Sequence, residues 1–387
     1  MTNNHTKETL QLLQSLIRIP SVSRDEEKAA DFLSVWMEER GLSPLRHGNN
    51  IMLTAPDYDE RRPTLMLNAH IDTVKPVSTW TCDPFGAEMD GDKLYGLGSN
   101  DCGGGLVTLL QVYRHLASTK RSYNLLYVAS AEEEVSGENG FRRILPILPK
   151  VDVAVVGEPT SMQPAVAERG LMVLDVVIHG VSGHAARGEG KNAIVAALKD
   201  LEWLSSYHFD KESSLLGATT MQVTMIHSGT QHNVVPDRCE MVVDVRTNEC
   251  YTNEEVLAFI QDHVTSDVTA RSTRLQSSHI PLDHPLVKRC VELGRQPFGS
   301  PTLSDQALMP FLSLKMGPGN SARSHSADEY ILVSELEEAY ELYIKLLEGI
   351  ELSSGVWEFR SLDNRKRLEL PTIGVSKDKH YRLGFDE

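Results

Sequence analysis

The chain has 387 residues, 41% of them hydrophobic and 24% charged, which is too long for one ordinary core and excludes a disordered or fibrous protein. A net charge of -16 disfavours nucleic acid and anionic membrane surfaces, and the apolar stretches, such as 65–69 and 151–156, fall far short of the roughly 20 residues of a membrane helix. The polar start (Met1 to Leu10) and five scattered cysteines without a C-x-x-C pair argue against a signal peptide, a disulfide framework and a thiolate zinc site, so a cytoplasmic location is expected.

Ser23 followed by Glu26 has the form of a capping box and predicts a helix over 25–40, stopped by Gly41. Strand-like apolar runs follow at 64–69, 124–129 and 152–156, with a helix predicted over 103–117. Apolar strands separated by helices predict an α/β fold: a mixed, largely parallel sheet with helices on both faces. Beyond Glu168 the texture changes. Half-buried strands are expected at 171–179, 219–227 and 240–246, with helices at 192–205 and 253–264, which reads as an inserted α+β domain. An α/β texture resumes near Pro281, and 334–349 has the pattern of an amphipathic helix. The expected organisation is a split catalytic domain, 1–168 and 281–350, with an insert over 169–280. The 351–387 segment, with seven acidic and seven basic residues and little periodicity, is a tail of unknown role.

In an open α/β sheet, ligands collect at the carboxyl ends of the strands. There the sequence places His70-Ile71-Asp72, Asp101 in the turn after Gly96–Asn100, Glu132-Glu133-Glu134, and Glu158. Any one of these has an ordinary structural explanation. Together on one edge they would repel one another unless positive charge sat among them. Imidazole with carboxylate and no thiolate suits zinc, cobalt or manganese, and the donors exceed what one tetrahedral ion takes. The period-2 spacing of His70 and Asp72 predicts that the Asp72 carboxylate supports the His70 imidazole from behind.

These segments resemble the aminoacylase and M20 metallopeptidase group, which includes acetylornithine deacetylase, succinyl-diaminopimelate desuccinylase and the glutamate carboxypeptidase type. The resemblance runs from about residue 7 to 350 and is carried by 67–74, Gly96–Asp101, 131–134, 157–160 and Gly317-Pro318-Gly319 leading to His325. It implies a zinc-exopeptidase-like fold and two zinc ions bridged by Asp101, one completed by His70 and Glu158, the other by Glu134 and His325. Glu133 would be the general base and acid acting on a metal-bridging water. The triplet also allows the register Glu132/Glu133; the resemblance favours Glu133/Glu134. Cys102, beside the bridge, is expected to be a buried spectator.

The insert is similar to the group's lid and dimerisation domain, which implies a homodimer. Ser182-Gly183-His184-Ala185-Ala186 matches the loop whose histidine stabilises the oxyanion in the partner's site, and Asn233 and Arg246 match positions that hold a substrate carboxylate. The resemblance thus implies a zinc-dependent amidohydrolase for a small N-acyl amino acid. Acetylornithine deacetylation in arginine biosynthesis is the expected reaction, with desuccinylases and dipeptidases or carboxypeptidases of the group as alternatives. A succinyl group would need a further cation, for which Arg187, Lys191 and Arg323 are candidates. A dinucleotide reading of the glycines at 96–105 fails, because Asp101 would stand where the third glycine must meet pyrophosphate. A non-catalytic metal-binding protein predicts a missing base or ligand, and each such position is filled.

Overall fold

The computed structural model describes residues 4–352; the expected tail beyond residue 352 lies outside them. Helices α1 (Asn4–Ile17) and α2 (Glu27–Glu38) precede strands β1 (Leu45–His47), β2 (Asn50–Thr54) and β3 (Thr64–His70). Helix α3 (Gly104–Ala117) and strands β4 (Asn124–Ser130), β5 (Val153–Val156) and β6 (Ala165–Glu168) follow. The next segment holds β7 (Met172–His179), β8 (Gly183–His184), α4 (Ala193–Ser206), β9 (Thr220–Ser228), β10 (Val234–Val235), β11 (Arg238–Arg246), α5 (Asn253–His263) and β12 (Asp267–Ala270). Strands β13 (Ser278–His279), β14 (Phe298–Ser300) and β15 (Leu312–Lys315) and helices α6 (Pro285–Glu292) and α7 (Val333–Leu347) follow among the described residues.

The main sheet has the order β1-β2-β4-β3-β5-β15-β6-β13, with β14 also paired to β6. Its central strands β4, β3, β5 and β15 run parallel, and antiparallel strands flank them. Every residue of these four strands is buried, as expected for a sheet covered on both faces. Alternation divides each strand between two layers. Leu65, Leu67 and Ala69 join the core formed with α1, α2, α3 and α7, while Met66, Leu126, Val128 and Ala154 pack with Phe141 and Ile144 on the other side. The four parallel strands therefore end on one edge, with His70 opposite Ser130 and Lys315 opposite Val156.

A second, antiparallel sheet, β9-β11-β7-β12, has its own core with α4 and α5. Here the burial pattern of β7 alternates along the strand, because helices cover only one face. No described helix is long and apolar enough to cross a membrane.

One local expectation is overturned. Helix α2 starts at Glu27 rather than 25, and Ser23 does not cap it. The Ser23 hydroxyl instead donates to Asp72 Oδ2 at 2.7 Å, a charged acceptor stronger than a helix-end amide pairing. Glu26 is buried and accepts from Asn49 at 3.3 Å. Gly41 does end the segment, at φ 74°.

Candidate metal centre

The end of β3 delivers His70 as a buried side chain into the parallel-strand edge. Its Nδ1 lies 2.8 Å from the Asp72 carbonyl oxygen, which only accepts, so Nδ1 carries the proton. Its Nε2 then faces Asp101 Oδ1 at 3.4 Å, Glu158 Oε1 at 3.5 Å and Glu133 Oε2 at 3.9 Å. The shortest is at most a long, weak hydrogen bond, and the shorter two separations are close to the roughly 3.3 Å between ligand atoms across a tetrahedral zinc. A lone pair aimed at carboxylates calls for a proton or a metal cation between them.

Asp101 uses its two oxygens differently. Oδ1 faces His70, while Oδ2 lies 3.5 Å from Nε2 of His325, which is 2.9 Å from Glu134 Oε2. The carboxylate thus stands between two imidazoles, the geometry of a bridge. His325 is half-exposed at the rim of a cavity of about 540 Å3 that Asp101, Glu133, Glu134 and Glu158 also line.

The electrostatics of the cluster run the same way. Burial pushes Glu133 and Glu158 above the usual carboxylate range, and neighbouring acids add to it: Glu158 for Glu133, Asp101 for Glu158. Burial opposes charge on His70 too, but the anions around it outweigh burial and raise its proton affinity well above normal. Burial pushes up both the Cys102 thiol and Glu158, so Asp101, 3.4 Å from Nε2, is the carboxylate that most readily carries the opposing charge. The hydrogen bond to Glu134 lifts His325 to about 9. Two divalent cations would supply the positive charge that protons otherwise provide, so the donor set fits them.

Residues 66–349 match the family model for Peptidase family M20/M25/M40. The chain belongs to this family. Acetylornithine deacetylases of Shigella sonnei and Edwardsiella ictaluri are 28% and 27% identical to it, over 87% and 85% of this chain and 96% and 94% of theirs. Among solved structures, the aminopeptidase PepT of Bacillus cereus has TM-score 0.70 at 17% identity, covering 88% of this chain and 98% of that one. A dinuclear metal-binding M20 peptidase from Bacillus subtilis has TM-score 0.64 at 17% identity, covering 89% and 99%. This M20 chain is accordingly a metallo-hydrolase with a mixed α/β fold.

Two carboxylates of the triplet face the cluster. Glu132 turns away, with its carboxylate accepting from Asn139 N at 3.2 Å and Asn139 Nδ2 at 3.0 Å, while Glu133 and Glu134 face the cluster. Asp72 supports the site otherwise than expected. Its main-chain oxygen, not its carboxylate, is the near partner of His70; the carboxylate stands at 3.6 Å from Nδ1 and accepts the Glu133 and Glu134 amides at 3.0 and 3.2 Å. The reason is that His70 and Asp72 sit where the strand ends, so the chain has already turned. Cys102 Sγ accepts from His70 N at 3.2 Å beneath the cluster. The glycines at 103–105 also have a use: a Cβ on Gly105 would meet the Gly157 carbonyl at 1.7 Å, so backbone contact sets where Glu158 stands.

Two supporting acids escaped the sequence reading. Glu329, almost fully buried, accepts from Gly98, Asn100 and Asp101 amides at 3.1, 2.8 and 2.9 Å and so holds the turn that presents Asp101. Burial, followed by the Asp101 charge, raises it to about 8. Asp305 accepts from the Ser130 hydroxyl and is raised by burial and then by Asp72. The only signal for Glu329 was an acid just before an apolar strand, four residues after His325.

The predicted residues of the 169–280 segment stand apart from the cluster. His184 is exposed on β8, its Nδ1 accepting from Ala186 N at 3.2 Å. The Asn233 carbonyl accepts from Ala185 N at 3.1 Å, which places these two loops side by side. Arg246 forks onto Asp244 at 2.7 and 3.1 Å. None of the three lines the cavity. Arg323 is engaged with Glu335 at 2.7 and 3.0 Å, while Arg187 and Lys191 are exposed on the loop beyond His184.

Proposed function

We propose that the chain hydrolyses the amide bond of an N-acyl amino acid, with N-acetylornithine as the foremost substrate. The similarity to acetylornithine deacetylases over most of both chains supports the acyl-amino-acid class. Asp101, facing one imidazole with each oxygen, carries the hydrolytic reading. His70 and Glu158 with one oxygen of Asp101, and Glu134 and His325 with the other, would each hold a divalent cation, zinc by the chemistry of the donors. Such cations supply Lewis acidity that polarises a carbonyl and acidifies water.

The chain's own groups do the rest. Glu133 projects into the cavity beside this cluster, and burial raises its proton affinity, the condition for an acid–base group that must hold a proton near neutral pH. Its carboxylate takes the proton of the attacking water and returns it to the leaving amine nitrogen. Asp72 orients Glu133 through the amide it accepts. His184, Asn233 and Arg246 reach a substrate only if the second sheet moves or a partner subunit brings them, and Arg246 must exchange Asp244 for a substrate carboxylate.

Residues 169–280 would then be a lid and dimerisation domain on a catalytic domain formed by 1–168 and 281–350. A homodimer is supported by the outer edge of this sheet, where Met225 and Ile226 on β9 and Val195 and Leu198 on α4 are all about half-exposed or more. A long apolar edge strand left open invites pairing. Turnover of the zinc-loaded chain on N-acetylornithine, N-acetylcitrulline, their succinyl analogues and dipeptides tests the reading. Hydrolysis of dipeptides alone would replace deacylation with peptidase activity, and fewer than one metal ion per chain after loading would remove the mechanism.

A further inference from the structure

One wall of the cavity is the segment 298–303, whose Phe298, Pro301 and Leu303 line the same space as Asp101, Glu133 and Glu158. After Ser300 this segment belongs to no helix or strand until residue 305. It is held by a pair of buried charges. Lys315 ends β15, opposite Val156 and therefore beside the strand that carries Glu158, and it is only 3% exposed. Its ammonium stands 2.9 Å from Glu168 Oε2 and donates to the carbonyl and hydroxyl oxygens of Thr302, each at 3.0 Å. Glu168, fully buried at the end of β6, accepts from Ser304 N at 3.0 Å and from Ser304 Oγ at 2.8 Å. The two charges thus grip the wall on either side of Leu303.

The ammonium has three acceptor oxygens within 3.0 Å, two of Thr302 and one of its ion-pair partner Glu168, and both Glu168 oxygens accept from Ser304. Stability alone is a poor reason for such a pair, because packed apolar side chains of the same volume usually serve at least as well. What apolar side chains lack is direction: they cannot fix two positions of an irregular segment through aimed hydrogen bonds. Lys315 is also the only lysine or arginine among the described residues lining the cavity, and it has no proton left for a substrate carboxylate. The wall it supports presents Phe298, Pro301 and Leu303 to the cavity, with only the uncharged Ser300 and Thr302 between them.

We propose that the Lys315–Glu168 pair is a positioning device that fixes the 300–304 wall and thereby sets the length of the apolar acyl group that the cavity accepts, against acyl groups ending in a carboxylate. The substrate class rests on the amide-hydrolase reading; the clamp itself does not.

The test uses the full zinc-loaded chain as wild type, K315M, K315M/E168Q and K315R. Each is assayed on N-acetyl, N-butanoyl, N-hexanoyl and N-succinyl derivatives of one amino acid, and amide hydrogen exchange is followed across 298–308. In K315M and in the charge-free double variant, exchange at 300–304 should rise at least about tenfold with β3 and β4 unchanged, and the hexanoyl-to-acetyl ratio of kcat/KM should shift by about tenfold. K315R should restore most of both. Unchanged exchange in a folded variant overturns the clamp, and equal losses on every substrate overturn its role in selectivity. Wild type preferring the succinyl over the butanoyl substrate also overturns the proposal. A wild type that hydrolyses none of the four removes the amide-hydrolase reading and with it the selectivity role, while the exchange result still decides the clamp.

Discussion

Replacing Glu329 by glutamine changes no proposed metal ligand and should nevertheless weaken metal binding. The carboxylate accepts three amides, those of Asn100 and Asp101 on Oε1 and that of Gly98 on Oε2. A glutamine can keep its oxygen on the first pair, but its NH2 then meets the Gly98 N–H, donor against donor. Where Glu329 is ionised, above about pH 8 in the metal-free protein, one hydrogen bond to a charged acceptor is lost, worth about 1.5–3 kcal/mol, and the other two lose their charge assistance. Because these amides belong to the turn that presents Asp101, part of that loss should appear in metal affinity, as a fall of roughly 10–100-fold. Competition of E329Q with a zinc chelator measures the affinity, and denaturant unfolding of the metal-free protein measures stability. If stability falls by the expected amount while zinc affinity stays within about twofold of wild type, Glu329 does not position the bridge and the reasoning fails.

Other outcomes follow from the same geometry. Glu133→Gln should retain two metal ions per chain and lose about 10²–10⁴-fold in kcat; unchanged turnover would refute its role as base. In the metal-free protein, His325, Glu158 and Glu329 have folded-state proton affinities raised to about 9, 8 and 8. Raised groups stabilise the fold below their unfolded values and lose that contribution as pH rises through the folded ones. The melting temperature of the chelated protein should therefore fall between about pH 5 and 9, and zinc should suppress the fall; a chelated protein that gains stability over that range contradicts the charge assignment. Ile226→Lys on the outer edge of β9 should yield a monomer in light scattering. Full activity in that monomer would remove any role for His184 in a partner's site.

Much of the catalytic sheet was legible because its strands are short, apolar and bounded, so burial and type coincide. The strand-end acids and His70 were legible for a related reason: charge at the carboxyl edge of a parallel sheet has few structural uses. What the sequence concealed was partnership. Ser23 and Glu26 satisfy a capping pattern, yet Asp72, distant in sequence, is the better acceptor for Ser23. Glu329 and Asp305 lie in segments with no periodicity, and their importance comes from amides and hydroxyls contributed by other segments. The choice between Glu132 and Glu133 turned on the direction of a side chain after a residue at φ 51°, which no spacing rule contains. His184, Asn233 and Arg246 matched motifs, yet none of the three lines the cavity in the single chain.

Asp72 touches both halves of the centre at once: its carbonyl holds His70, and its carboxylate holds the amides that aim Glu133 and Glu134. The halves are therefore not separate receptacles. If two ions bind as proposed, one that draws His70 into line would also steady the backbone that carries Glu134, with Asp101 common to both. Metal uptake should show a second ion taken up more readily once the first is in place, so half-loaded molecules would be scarce at intermediate metal supply.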